Sequence, residues 1–218
     1  MIDLKDYRII DLSAEIRPGA LKVNGEYLHG SQTRRFELRQ FVYAPDKMIM
    51  NWVEAESHIG THVELPAHFA QDGKSSSEMP IQKFLGEAVV LDFSSLKPKE
   101  GKGQPILPSH LVKVGKGDIV LLWSSLNRDE QSYISPEASK FLAEKAVRMV
   151  GVQNIRVEAP GGSTATHVNL LKNEIPLIEG LVNLEQVRKE RVFFIGLPLN
   201  VAGLDSSWIR AIALESRD

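Results

Sequence analysis

Apolar residues along this chain fall mostly in short blocks set apart by polar, proline or glycine-rich connections, a pattern that predicts more strand than helix. Tyr7 to Leu12 is a first strand, followed by the turn residues Arg17-Pro18-Gly19, and Glu37 to Tyr43 alternates as a second. Met48 to Glu56 carries no helix signal and is expected to run extended into the segment that follows. Ala88 to Phe93 and Asp118 to Trp123 are continuous apolar runs, as strands buried on both faces require. Val192 to Gly196 and Arg210 to Leu214 close the chain as further strands.

Helix signals are fewer. Ser135-Pro136-Glu137 offers an N-cap serine, proline at the first helical position and an acid in the first turn, and Phe141, Leu142, Lys145, Met149 and Val150 extend the pattern until Gly151 stops it. A strand over Gly151 to Val157 would complete a strand–helix–strand unit. Asn183 with Gln186 three residues on has the form of a second, shorter helix start. Gln71 to Ser77 and Lys97 to Gln104 read as exposed connections. The expectation is one mixed α/β domain over residues 1–218, without repeats.

Composition narrows the chemistry. The 43% apolar and 25% charged content suits a globular protein, and a net charge of −2 gives no reason to expect nucleic acid or a membrane as partner. With no cysteine, any metal must sit on nitrogen and oxygen, and a thiol nucleophile is excluded. The first residues show no basic region followed by an apolar run, and no stretch approaches a membrane span, so a cytosolic address is the expectation.

The chemistry concentrates in His58 to His68, reading H-I-G-T-H-V-E-L-P-A-H, where three of the six histidines surround Glu64. If this stretch is extended, residues two apart share a face, and His58, His62, Glu64 and His68 point the same way. Gly60, Thr61, Val63 and Pro66 argue against the helix on which H-E-x-x-H metalloproteases place their ligands. A lone histidine is ordinarily a satisfied surface or core group, but three with a carboxylate on one face suit metal binding or proton transfer. His167, in a polar turn, and Glu179, twelve residues on beside an apolar run, form a second patch that alone would read as ordinary surface. His29 and His110 are expected at the surface, and Trp52, Trp123 and Trp208 in the core or an interface, with Trp52 near enough to the motif to line a pocket.

Together the two patches resemble the cyclase family of metal-dependent hydrolases, which includes bacterial kynurenine formamidases and isatin hydrolases. The family motif H-x-G-T-H-x-D-x-P-x-H, followed by a histidine and a glutamate twelve apart, is matched at His58, Gly60, Thr61, His62, Pro66, His68, His167 and Glu179. Further likeness lies at Asp11-Leu12-Ser13, Gly117 to Leu121, Ser135 to Ala138, Gly203-Leu204-Asp205 and Arg210 to Ala213. The resemblance implies a β-rich α/β fold of the swivelling β/β/α type, a homodimer or homotetramer, and one or two zinc or manganese ions. By it, His58, His62, Glu64, His167 and Glu179 would be metal ligands and His68 the acid/base, with a metal-activated water cleaving the carbon–nitrogen bond of a small aryl formamide or cyclic amide.

Two departures bear on that function. Glu64 stands where the family pattern has aspartate, one methylene shorter. Ser31 to Arg35 occupies the region of a tryptophan-proline-glycine segment common in the formamidases, and Asn154-Ile155-Arg156 that of an aspartate-threonine pair. Arg34 and Arg156 are therefore candidates to bind a substrate carboxylate, beside Trp52. Two alternatives stay open: hydrolysis of N-formylkynurenine specifically, and a catalytically altered oligomer with a binding or structural role.

Overall fold

A computed structural model describes residues 3–217 apart from 21, 24–25, 28–34 and 44. Arg34 and His29 lie outside the described residues. The strands that organise the structure are β1 (Tyr7–Asp11), β2 (Arg35–Val42), β3 (Ile49–Ala55), β4 (His62–Glu64), β5 (Leu85–Asp92), β6 (Ile119–Trp123), β7 (Met149–Gln153), β8 (Leu177–Glu179), β9 (Arg191–Ile195), β10 (Ser206–Trp208) and β11 (Ile212–Ser216). Nine of them form one mixed sheet in the order β1-β11-β9-β5-β6-β7-β8-β4-β10. Its centre, β5 to β8, is parallel, and both flanks are antiparallel.

The apolar runs of β5 and β6 follow from this position, because both sheet faces are covered. Val89, Leu91, Val120, Leu122, Val150 and Val152 pack on one side with two helices, α1 (Pro136–Glu144) and α2 (Ala165–Leu171). Ala88, Ile119, Leu121 and Met149 alternate to the other side, against Leu12, Phe84, Phe194 and Ala213. Each fully buried aliphatic side chain contributes on the order of 1.5–3 kcal/mol. The β-rich α/β class with few helices is therefore as expected.

Several local expectations fail for identifiable reasons. The Ser135 hydroxyl does cap α1 by accepting from the Ala138 amide at 3.1 Å. The helix stops at Glu144 rather than Val150, because Ala146 adopts a left-handed φ of 51° and turns the chain back. Met149 and Val150 belong instead to β7, and Gly151 lies inside that strand facing Leu121 on β6, where its missing side chain admits Leu181 and Leu121. Asn183 has a φ of 64° and no capping bond, and opens only a single 3-10 turn. The Gln71 to Ser77 connection is exposed only in part: Ser75 and Ser76 are buried, and the Ser76 hydroxyl donates to the Leu199 carbonyl at 2.7 Å.

β2 and β3 form an antiparallel arm outside the main sheet. On one face, Leu38 pairs with Val53 and Val42 with Ile49, and all four are exposed. The polar pair Gln40–Asn51 lies between them on the same face, so the arm exposes two apolar pairs rather than a continuous strip.

Candidate metal centre

The site forms where β4 lies between β8 and the edge strand β10. Directly opposed residues of antiparallel strands point to the same face. Glu64 is opposite Leu177 and Ser206, and His62 is opposite Glu179 and Trp208. Val63 takes the other face and packs into the core with Ile178. His62, Glu64 and Glu179 thus share the face that α2 covers, and α2 carries His167.

The strand itself spans only three residues, so parity alone does not gather the histidines. Gly60, at φ 58°, makes the turn that brings His58 back over β4. Thr61 locks this turn: its hydroxyl donates to the Gly180 carbonyl at 2.6 Å and accepts from the Ala14 amide at 2.8 Å. Gly180 must itself be glycine, since a Cβ there would collide with the Gly60 carbonyl. Pro66 then ends the strand and starts a 3-10 turn, Pro66–His68, that swings His68 toward Glu64.

Glu64, 4% exposed, stands at the centre. Its Oε1 is 3.0 Å from His58 Nδ1, 3.7 Å from His62 Nε2 and 4.0 Å from His68 Nε2, and its Oε2 is 3.0 Å from His167 Nε2. Glu179 Oε1 is 3.8 Å from His167 Nε2. The structure therefore brings together His58, His62, Glu64, His68, His167 and Glu179. Ligand atoms of His58, Glu64 and His68 lie within 4.8 Å of one another, as do those of His62, Glu64 and Glu179.

Two carboxylates that sequence reading did not single out complete the cluster. Asp205 Oδ2 lies 2.8 Å from His58 Nε2 and 3.1 Å from His68 Nδ1. Glu158 Oε1 lies 2.7 Å from His167 Nδ1, and its oxygens also accept the amides of Thr166 and His167 at 3.2 and 2.9 Å. His167 is consequently held at the first turn of α2, not in the polar turn expected for it. Asp205 fell within the segment Gly203-Leu204-Asp205 but had no metal-ligand spacing to mark it, and Glu158 had no signal beyond an acid upstream of a histidine.

The remaining candidates lie apart. Trp52 stands on the arm, 67% exposed, opposite Arg39. Arg156 pairs with Asp129 at 2.9 Å and lines a separate cavity of about 350 Å³ with Lys102 and Tyr133.

The electrostatics are those of crowded, desolvated acids and bases. Burial works to raise Glu64, but His167, His58 and His62 around it hold its carboxyl far below the usual range. Burial works against the charged form of His167, yet Glu158 and Glu64 raise it to about 10. His58 is likewise raised: Glu64 and Asp205 outweigh its desolvation. Glu179 is pushed up by burial and by the nearby charge of Glu64. Within the cluster, His62 Nε2 finds no hydrogen-bond partner, and Glu64 Oε2 has only its ionic contact with His167 Nε2 at 3.0 Å. The His62 ring is fixed by its Nδ1, which donates to the Gly60 carbonyl at 3.1 Å and leaves Nε2 aimed at Glu64. An unpartnered imidazole nitrogen and crowded carboxylate oxygens converging in a buried cluster fit a divalent cation with nitrogen and oxygen ligands.

The mixed sheet thus ends in a buried histidine–carboxylate cluster of the kind that holds a catalytic divalent cation, and comparison with known proteins gives the family. Residues 10–159 match the family model described as putative cyclase. The chain belongs to the cyclase family. It is 32% identical over 162 residues to a kynurenine formamidase of Bacillus cereus, covering 71% of this chain and 75% of that one. A kynurenine formamidase of Erythrobacter litoralis is 28% identical over 97% of this chain and 95% of its own length. Among solved structures, isatin hydrolase A from Labrenzia aggregata superposes with a TM-score of 0.80 at 21% identity, covering 98% of this chain and 95% of that one.

Proposed function

We propose that this protein is a divalent-metal-dependent hydrolase that cleaves the carbon–nitrogen bond of a small aryl formamide or cyclic amide. The observation that carries the proposal is Glu64: a buried carboxylate ringed by four histidines, one of which, His62, turns an unpartnered Nε2 toward it. His58, His62, Glu64, His167 and Glu179 would hold one or two ions, and zinc and manganese both suit this donor set. An ion bound there supplies a Lewis acid that lowers the pKa of a water towards neutrality and polarises the carbonyl.

The chain's own residues supply the proton chemistry. His68 Nδ1 donates to Asp205, which leaves Nε2 as the basic nitrogen on the side of Glu64. His68 takes the proton of the attacking water as its oxygen bonds to the carbonyl carbon. It returns that proton to nitrogen as the carbon–nitrogen bond breaks, giving a carboxylic acid and an amine. Phe69 stacks on His167 with ring centroids 5.1 Å apart, adding a packing contact to the ring that Glu158 orients.

The names of the curated relatives support N-formylkynurenine as a specific substrate. Hydrolysis of formanilide, isatin and N-formylkynurenine, measured before chelation, after it, and after restoring zinc or manganese, tests the proposal. Turnover of at least one amide that is lost and regained with the ion is expected. No turnover of any of them by protein with a filled site would favour the catalytically altered alternative.

The proposal includes a cytosolic homo-oligomer. The exposed apolar pairs Leu38–Val53 and Val42–Ile49 on the arm support self-association, since burying them against a second copy removes apolar surface from water.

A further inference from the structure

We propose that Asp205 is the positioning carboxylate of the site, orienting a metal ligand and the acid/base together through a single oxygen. Its Oδ2 is within hydrogen-bond distance of both His58 Nε2, at 2.8 Å, and His68 Nδ1, at 3.1 Å. Each ring has its other nitrogen turned toward Glu64: His58 Nδ1 at 3.0 Å and His68 Nε2 at 4.0 Å. With Asp205 accepting both N–H groups, His58 is fixed as a ligand through Nδ1 and His68 as a base through Nε2.

Asp205 is itself held from two directions. Its Oδ1 accepts the Ser57 hydroxyl at 3.2 Å, and its carbonyl accepts the Leu65 amide at 3.0 Å, which ties it to the end of β4 next to Glu64. Asp205 stands outside both groups of converging ligand atoms, so it acts behind the histidines and not as a ligand of the ion. The rings of His58 and His68 lie 4.4 Å apart at 45°, an arrangement in which one carboxylate oxygen reaches both. One side chain thus couples where the ion sits to where the proton is carried.

The catalytic part of this inference rests on the amide-hydrolase reading, while the orientation part does not. The experiment compares the full-length protein with Asp205→Ala and Asp205→Asn. Three quantities are read: zinc affinity by competition with a chromogenic chelator, kcat and KM on the amide the wild type turns over, and the tautomer of His68 from side-chain nitrogen resonances of the zinc-loaded protein. For Asp205→Ala, zinc affinity should fall 10–100-fold, the usual consequence of removing a carboxylate behind a ligating histidine. At saturating zinc, kcat should fall at least tenfold with KM within threefold, and His68 should lose its single Nδ1–H tautomer. Asp205→Asn keeps the shape and one acceptor, and should fall between; if the alanine variant does not fold, it decides the matter. Unchanged zinc affinity together with an unchanged His68 tautomer would overturn the proposal. If the wild type binds zinc but hydrolyses no amide, the hydrolase reading fails, and the affinity and tautomer measurements still judge Asp205.

Discussion

Shortening Glu64 to aspartate restores the residue of the family pattern, yet the geometry here predicts a weaker site. The two carboxylate oxygens reach in different directions, Oε1 to 3.0 Å from His58 Nδ1 and Oε2 to 3.0 Å from His167 Nε2. Removing one methylene withdraws the carboxylate by about 1.5 Å, one carbon–carbon bond, along the side chain. For each unit of a bound ion's charge, drawing the carboxylate from about 3.0 to about 4.5 Å at an effective dielectric of about 20 takes the attraction from roughly 5.5 to 3.7 kcal/mol, a loss near 2 kcal/mol before relaxation. Full recovery by movement is opposed, because His167 is pinned from behind by Glu158 and His62 by the Gly60 carbonyl. An ion gathered by the same groups should therefore be held about 10–30-fold less tightly in Glu64→Asp, with 1.4 kcal/mol per tenfold. Zinc competition titrations at constant pH measure this. Equal or tighter binding by the aspartate variant would refute the claim that the surrounding residues are set for the longer side chain.

Other outcomes follow from the same structure. Metal uptake should release protons, because His167, raised to about 10, is protonated at neutral pH and must be deprotonated to ligate. Affinity should then rise with pH up to that value, and calorimetry in buffers of different ionisation enthalpy should show about one proton or more released per ion. Asp118 is held below its usual value because the Arg191 guanidinium and the Gly115 amide outweigh its desolvation. Its contribution to stability is present above the unfolded carboxyl value and is lost as pH falls through the folded one. Asp118→Asn should accordingly cost about 1.5–3 kcal/mol at pH 7 in urea unfolding and progressively less in acid. Placing aspartate at both Leu38 and Val53 should drive the protein to monomers in light scattering while leaving the main sheet folded, and an unchanged oligomer would remove the arm from the interface.

The central strands were legible because burial on both faces forces continuous apolar runs, as in Val89-Val90-Leu91 and Ile119 to Leu122. Where one residue's backbone conformation decided the outcome, the reading failed: nothing in the helical spacing of Met149 and Val150 revealed that Ala146 would turn left-handed. The histidine stretch announced its chemistry through crowding, but its convergence comes from the turn at Gly60 and the bend at Pro66 as much as from strand alternation. Helix α2 was missed because seven residues beginning at Ala165 have a polar start and no side-chain cap from the N-cap residue Thr164; the Ser163 hydroxyl accepts the Ala165 amide, and Glu158, from outside the helix, accepts those of Thr166 and His167. Asp205 and Glu158 were invisible because supporting carboxylates follow no fixed spacing. They reach the histidines through the fold, Asp205 across 137 residues to His68.

The most direct test of the metal centre is anomalous diffraction from crystals of this protein soaked in zinc or manganese. A peak about 2.0–2.2 Å from His62 Nε2 and a Glu64 oxygen, with His58, His167 or Glu179 completing the shell, is the predicted result. Density from fully soaked crystals with no peak at Glu64, and its four histidines arranged as they are here, would contradict it.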